Sequence, residues 1–226
     1  GLVSFQNLNL SENESYLVKT KDYLVKERKF VASDDFVTVT FDKAELILFD
    51  DFSDSNSGWP IRINDDPIRL EYVDGKYEVE INALREIQKL EWPNIYSGIT
   101  DFVVSTDMEL LSGDSAYGFS IDWPDNHIFI GIVSTENTKI IWVNENDKYL
   151  LEEDISAYLS SGTSNRLMVV QEGADTKIYL DGDLVGEVSL SQVIPFESLL
   201  KVVVNSQSTG DYPTVSIDNF RLIDLY

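Results

Sequence analysis

Ile68-Arg-Leu-Glu-Tyr-Val-Asp-Gly-Lys-Tyr-Glu-Val-Glu-Ile81 decides the fold class. Ile68, Leu70 and Tyr72 alternate with Arg69 and Glu71, and Tyr77, Val79 and Ile81 alternate with Glu78 and Glu80. Side chains two apart on an extended chain share a face, so each half reads as a strand with one apolar and one charged side. Asp74 and Gly75 stand between the halves. A two-residue type I′ turn needs positive φ at both central positions, which Asp-Gly adopts at little cost, so the stretch predicts an antiparallel hairpin.

The same period continues outward. Tyr117-Gly-Phe-Ser-Ile-Asp-Trp123 alternates in the same way, and 127–133, 139–143, 166–171, 177–180, 184–190, 200–205 and 214–222 extend the series. Leu180-Asp-Gly-Asp183 predicts a second tight hairpin. Residues 83–90 predict a short helix from their run of helix formers, and 152–159 one further turn. About twelve short strands with turn signals every ~8–12 residues indicate an all-β protein, and no fixed internal repeat suggests a propeller or solenoid. A two-sheet antiparallel sandwich is the expected fold.

The chain has 226 residues, no cysteine, and 17 Lys+Arg against 40 Asp+Glu, for a net charge of −23. Such a length suits one large β core. Absence of cysteine excludes disulfides, thiolate metal sites and a cysteine nucleophile. The surplus of negative charge repels phosphate backbones and anionic lipid, so no nucleic-acid partner is expected. No apolar run approaches the ~18–20 residues of a membrane span, so no direct membrane insertion is expected either. Charge is unevenly placed: residues 1–48 carry a net −2 and residues 49–226 a net −21. Residues 1–47 are therefore expected to be an N-terminal extension or linker that adds one or two strands, Phe36-Val-Thr-Val-Thr-Phe41 and Ala44-Glu-Leu-Ile-Leu-Phe49 being the strand-like parts. Residues 48–226 form the main domain. Beginning on Gly rather than Met suggests a trimmed start, so a signal segment cannot be read from this chain.

Leu48-Phe-Asp-Asp-Phe-Ser-Asp-Ser-Asn-Ser-Gly-Trp-Pro60 resembles the opening of the concanavalin A-like jelly rolls of bacterial secreted and surface proteins. Tyr77-Glu-Val-Glu-Ile81, Asp101-Phe-Val-Val-Ser105, Tyr117-Gly-Phe119, Asn165-Arg-Leu-Met-Val-Val170, Ile178-Tyr-Leu-Asp-Gly182 and Ser216-Ile-Asp-Asn-Phe220 follow in that family's order. The resemblance covers residues 48–226 and is similar to the laminin G-like and glycoside hydrolase family 16-like folds. It implies a jelly roll with sugar on its concave side and an extracytoplasmic location: secreted, periplasmic or on the cell surface. It also implies one structural calcium ion on the convex side, with Asp51 and Asp218 as ligands. No cofactor is required. The cluster Asp50, Asp51, Asp54 and Asn56 offers oxygens for such an ion without the spacing of an EF-hand; its alternative role is to cap turns.

The enzymes of this architecture, as the resemblance implies, carry Glu-x-Asp-x-Glu on one strand, and glycoside hydrolysis uses two carboxyl groups as nucleophile and acid/base. The nearest stretch here is Glu78-Val-Glu80-Ile-Asn82, which lacks the last carboxylate. The lone histidine, His127, belongs to no recognisable Ser/His/Asp order and cannot build a zinc site without cysteines. Phosphate-binding glycine loops are absent.

Sugar recognition needs flat apolar rings and planar polar groups. Trp59 and Trp123 read as packing residues, Trp123 being in register with Tyr117, Phe119 and Ile121. Trp92, in Leu90-Glu-Trp-Pro-Asn94, and Trp142 are the better ligand platforms, with a core role as the alternative for each. Alternation nominates Glu78, Glu80, Ser120, Asp122 and His127 as the lining of one concave face, with Trp142 at its margin. The expectation is a non-catalytic module binding polysaccharide or glycan. A hydrolase or lyase with an unrecognised carboxylate pair, and a structural or protein-interaction domain, are the rivals. Oligomeric state is not legible.

Overall fold

In the computed structural model Ile68–Val73 and Lys76–Ile81 form the hairpin that their alternation requires, with Asp74 at φ 50° and Gly75 at φ 77°. Asp181 and Gly182 turn the second hairpin with φ of 51° and 92°. The structure describes residues 46–62, 68–82, 99–124, 126–159, 162–195, 198–207 and 212–225, together with the backbone of the strands at 2–6, 15–17, 27–29, 36–40, 44–45 and 87–91. The chain divides into two compact units, Gly1–Glu45 with Leu225–Tyr226, and Leu46–Asp224. In the first, Leu2–Gln6 (β1) pairs antiparallel with Phe36–Thr40 (β4), and Ser15–Leu17 (β2) with Glu27–Lys29 (β3).

The second unit is a two-sheet sandwich. Its strands are Ala44–Asp50 (β5), Ile68–Val73 (β6), Lys76–Ile81 (β7), Ile87–Glu91 (β8), Phe102–Ser112 (β9), Ser115–Trp123 (β10), Asn126–Ser134 (β11), Lys139–Glu145 (β12), Lys148–Asp154 (β13), Asn165–Glu172 (β14), Asp175–Leu180 (β15), Asp183–Ser189 (β16), Leu199–Ser206 (β17) and Thr214–Leu225 (β18). A six-stranded sheet runs β13-β12-β11-β10-β17-β8, and an eight-stranded one β16-β15-β14-β9-β18-β7-β6 with β5 beside β18. The non-consecutive neighbours β10-β17, β9-β14 and β9-β18 give the jelly-roll crossing.

The six-stranded sheet turns Phe119, Ile121, Ile128, Ile130, Ile132, Ile141, Val143, Val202 and Val204 inward, each at most 2% exposed. Leu70, Tyr77, Val79, Met108, Leu167, Val169, Ile178, Val215 and Ile217 meet them from the eight-stranded sheet, all at 0%. Full burial contributes ~1.5–3 kcal/mol for each large aliphatic side chain, so this double layer is the main source of stability. One end is closed by rings. Trp59 lies 5.2 Å from both Phe52 and Tyr77 and 5.6 Å from Phe220, and its indole N–H donates to Asp50 Oδ2 at 3.1 Å. A register shift in β18 between Asp218 and Arg221, with Asn219 at φ 51°, lets Ile217 and Phe220 both point inward although they are three residues apart.

Residues 87–91 correct the helix expected over 83–90: they pair as a strand with β17, and 83–86 lie outside the described residues. The helix preference of Leu, Gln, Lys and Glu is a few tenths of a kcal/mol per residue, less than the gain from covering the flank of Leu199–Ser206. Within 152–159 the expected turn is present but short. Leu159 N–H donates to Ile155 O at 3.1 Å, while Glu152–Asp154 complete β13. The sequence reading also missed β13, because its hairpin turns on Asn146 and Asp147, at φ 50° and 63°, without a glycine.

Candidate functional site

Since the apolar positions of β10–β13 and β17 face the core, the alternate positions form the outer face of the six-stranded sheet. Register aligns them in rows. Val203, Gly118, Gly131, Trp142 and Glu152 make one row; Lys201, Ser120, Phe129, Asn144 and Tyr149 make the next; Leu199, Asp122 and His127 follow. Tyr149 joins this face through the bulge at Val143/Asn144, which resets the alternation of β13.

Three rings on three adjacent strands form a ledge here. Trp142 meets Phe129 edge-on, with centroids 5.4 Å apart, and stacks on Tyr149 at 5.6 Å and 24°. Tyr149 is 65% exposed. Gly131 makes the ledge possible: a Cβ there would stand 2.6 Å from Cζ of Phe129 and 2.4 Å from the carbonyl oxygen of Tyr117, so only a glycine lets the Phe129 ring lie down on the sheet.

The polar groups beside the ledge fall into two sets. Asp122 is held by the Ser120 hydroxyl, which donates to its Oδ1, and by Lys201 Nζ at 3.1 Å from Oδ2. That set is closed. Trp142 Nε1, a donor, and Asn144 Oδ1, an acceptor, are instead buried and make no hydrogen bond within the protein. Asn144 as a whole is only 8% exposed. Leaving such atoms unpaired costs about 1–3 kcal/mol each, and these two occupy neighbouring outward positions of one strand.

Ser120, Asp122, His127 and Trp142 thus share a face, with Trp142 well inside it rather than at the margin. Glu78 and Glu80 do not join them. They project from β7 on the outer face of the eight-stranded sheet, where Arg69 pairs with Glu71 and reaches Glu80 at 3.5 Å. Burial, reinforced by the charge of Glu71, pushes the Glu78 carboxyl up. Alternation separates inside from outside, but which sheet a strand enters depends on long-range pairing. Trp92 lies outside the described residues. Phe129, Asn144, Tyr149 and Lys201 were not nominated from sequence; the available signal was an aromatic on the polar side of an alternating strand, as Phe129 is between Ile128 and Ile130.

Trp59 and Trp123 are 4% and 8% exposed, packing residues as expected. Asp50, Asp51 and Asp54 all cap turns: Asp50 accepts from Phe52 N–H, Asp51 from the hydroxyl and N–H of Ser53, and Asp54 from Asn56 N–H. Burial raises the Asp218 carboxyl, the Asn219 N–H opposes that, and the charges of Asp107 and Asp51 add to the rise. Asp51 and Asp218 are therefore neighbours electrostatically, but among the described residues no group of three or more acidic or histidine side chains is placed to hold a metal ion. A calcium ion here would need most of its six to eight oxygens from backbone carbonyls and water. Asp107 is committed elsewhere, taking both Nε and Nη2 of Arg166 at 2.7 and 2.8 Å.

No family model matches the chain, and no curated protein does. Solved structures do, over most of its length. The catalytic domain of an endo-1,3-beta-glucanase (laminarinase) from Thermotoga petrophila RKU-1 superposes with a TM-score of 0.59 and 11% identity, covering 82% of this chain and 99% of its own. A protein of unknown function with a galectin-like fold from Bacillus subtilis gives 0.62 and 7%, over 82% and 100%. The CBM2 module of the evolved Dit protein of Lactobacillus casei BL23 phage J-1 gives 0.55 and 9%, over 82% and 98%. At such identities the likeness is one of fold: these structures share the two-sheet jelly-roll sandwich of this chain. Among the described residues no helix is long and apolar enough to cross a membrane.

Proposed function

We propose that the sandwich is a non-catalytic carbohydrate-binding module of a bacterial envelope or secreted protein, and that glycan lies on the outer face of the six-stranded sheet. The observation that carries this reading is the Phe129-Trp142-Tyr149 ledge with the unpaired Trp142 Nε1 and Asn144 Oδ1 beside it. Rings laid on a sheet offer flat apolar surface to the C–H faces of pyranoses. Fold neighbours with glucanase and CBM2 modules among them support a carbohydrate ligand and an extracytoplasmic setting.

A binding role is favoured over hydrolysis by the placement of the acids on this face. A glycosidase flanks the bond with two carboxyl groups about 5–9.5 Å apart. On the outward positions of β10–β13 and β17, Asp122 is tied to Ser120 and Lys201, and the remaining carboxylates, Glu152 and Asp154, stand exposed on the edge strand β13 with Asp154 accepting from Ser156 N–H. Titration calorimetry against plant, algal and bacterial polysaccharides tests the proposal: heat of binding that disappears in Trp142→Ala supports it, and silence across the panel removes it. Release of new reducing ends during the same incubations would replace it with the hydrolase reading.

A further inference from the structure

We infer that the ledge selects uncharged pyranose chains against carboxylated ones, with Glu152 and Asp122 setting the discrimination; this rests on the glycan-binding reading above. The charge of the face leads there. Glu152 is the register partner of Trp142 on the same face, which puts the two Cβ atoms ~4.5–5.5 Å apart, and it is exposed. Asp154, the next outward residue of β13, is exposed as well. The Ser156 hydroxyl and N–H hold its carboxyl below the usual range, so it stays ionised. On the opposite flank stands Asp122. Lys201 is the one lysine or arginine at an outward position of β10–β13 and β17, and its ammonium is matched by Asp122 at 3.1 Å with the side chain only 11% exposed. A sugar carboxylate stacked on Trp142 would thus face Glu152 with no unmatched lysine or arginine at the outward positions of these strands to meet it, and like charges brought together in this way are what interfaces use to reject a wrong partner.

The test is calorimetric titration of the full chain with cellohexaose and laminarihexaose as neutral probes and hexagalacturonate and hexamannuronate as carboxylated ones. In about 20 mM salt the neutral chain that binds best should exceed either uronate by about tenfold or more, and the ratio should shrink in about 0.5 M salt, where the screening length falls to a few ångströms. Glu152→Gln should move the low-salt ratio toward unity by about threefold, chiefly through tighter uronate binding. Uronates that bind as well as the neutral chains, or a preference indifferent to both salt and Glu152→Gln, would overturn the inference while leaving glycan binding intact. A chain that binds none of the four probes nor any polysaccharide of the wider panel overturns the glycan-binding reading, and the selectivity falls with it.

Discussion

The two outer faces of the sandwich are built from the same alternating pattern and end in opposite chemical states. On the eight-stranded sheet the outward charges find one another: Arg166 grips Asp107 through two bonds, Arg69 bridges Glu71 and Glu80, and Lys76 reaches Glu109 at 3.5 Å. On the six-stranded sheet the outward positions hold three rings, a glycine pair and two polar atoms with no protein partner. Paired surface ions keep a face soluble and are worth little individually, whereas unpaired buried donors and acceptors are costly. Under the proposed function, the first face keeps the protein soluble and the second binds glycan.

Removing the ledge should produce the largest effect. Trp142→Ala and Tyr149→Ala are each expected to weaken glycan binding by about a hundredfold, on the scale of stacking anchors in a binding face. Glu78→Gln and Glu80→Gln, on the opposite sheet, should stay within about twofold by the same titration. Loss of binding in the glutamate variants would erase the distinction between the faces.

Next in size is Gly131→Ala. The added methyl would press on the Tyr117 carbonyl and the Phe129 ring, and a destabilisation of about 2–4 kcal/mol is expected in urea unfolding, with binding reduced as Phe129 lifts. Trp59→Phe, remote from both outer faces, should cost about 1–3 kcal/mol by stranding Asp50 Oδ2, and should leave the affinity of the folded protein unchanged.

The smallest effect concerns Asp218. Its carboxyl is raised in the folded state, so its contribution favours folding most at pH below the ordinary aspartate value and is lost as pH rises through the folded one. Asp218→Asn keeps the acceptor for Asn219 N–H and should raise Tm at pH 7 in chelator by about 1–3 °C, with the gain fading toward pH 3. Melts with and without chelator also test the expected calcium ion, since an ion bound only by the folded chain must raise Tm. An unchanged melt would remove Asp51 and Asp218 as its ligands.

Strand existence was legible in much of the sandwich: 68–73, 76–81, 117–123, 127–133 and 166–171 all lie in strands, and both Asp-Gly hairpins turn where expected, whereas the alternation series did not include Phe102–Ser112. Legibility failed where a partner decided. Residues 87–91 are a strand because β17 needs a neighbour, and Tyr149 faces the ledge because a bulge resets its phase. Neither fact is local, so no window of sequence contains it.

The site shows the same division. Ser120, Asp122 and His127 were readable as outward residues from period two alone, and so were Glu78 and Glu80, whereas Trp142 stayed open between the core and the margin of the face. Which of them meet was decided by tertiary structure, since the partners that put β7 in one sheet and β10–β12 in the other lie up to about 140 residues away. Sequence by itself determined an acidic, cysteine-free, all-β chain with an apolar side to each strand, because burial and turn geometry act over a few residues. Only the folded sandwich decided that Phe129, Trp142 and Tyr149 form one ledge and that Glu78 and Glu80 stand behind it, because side-chain encounters across strands follow from register and sheet order.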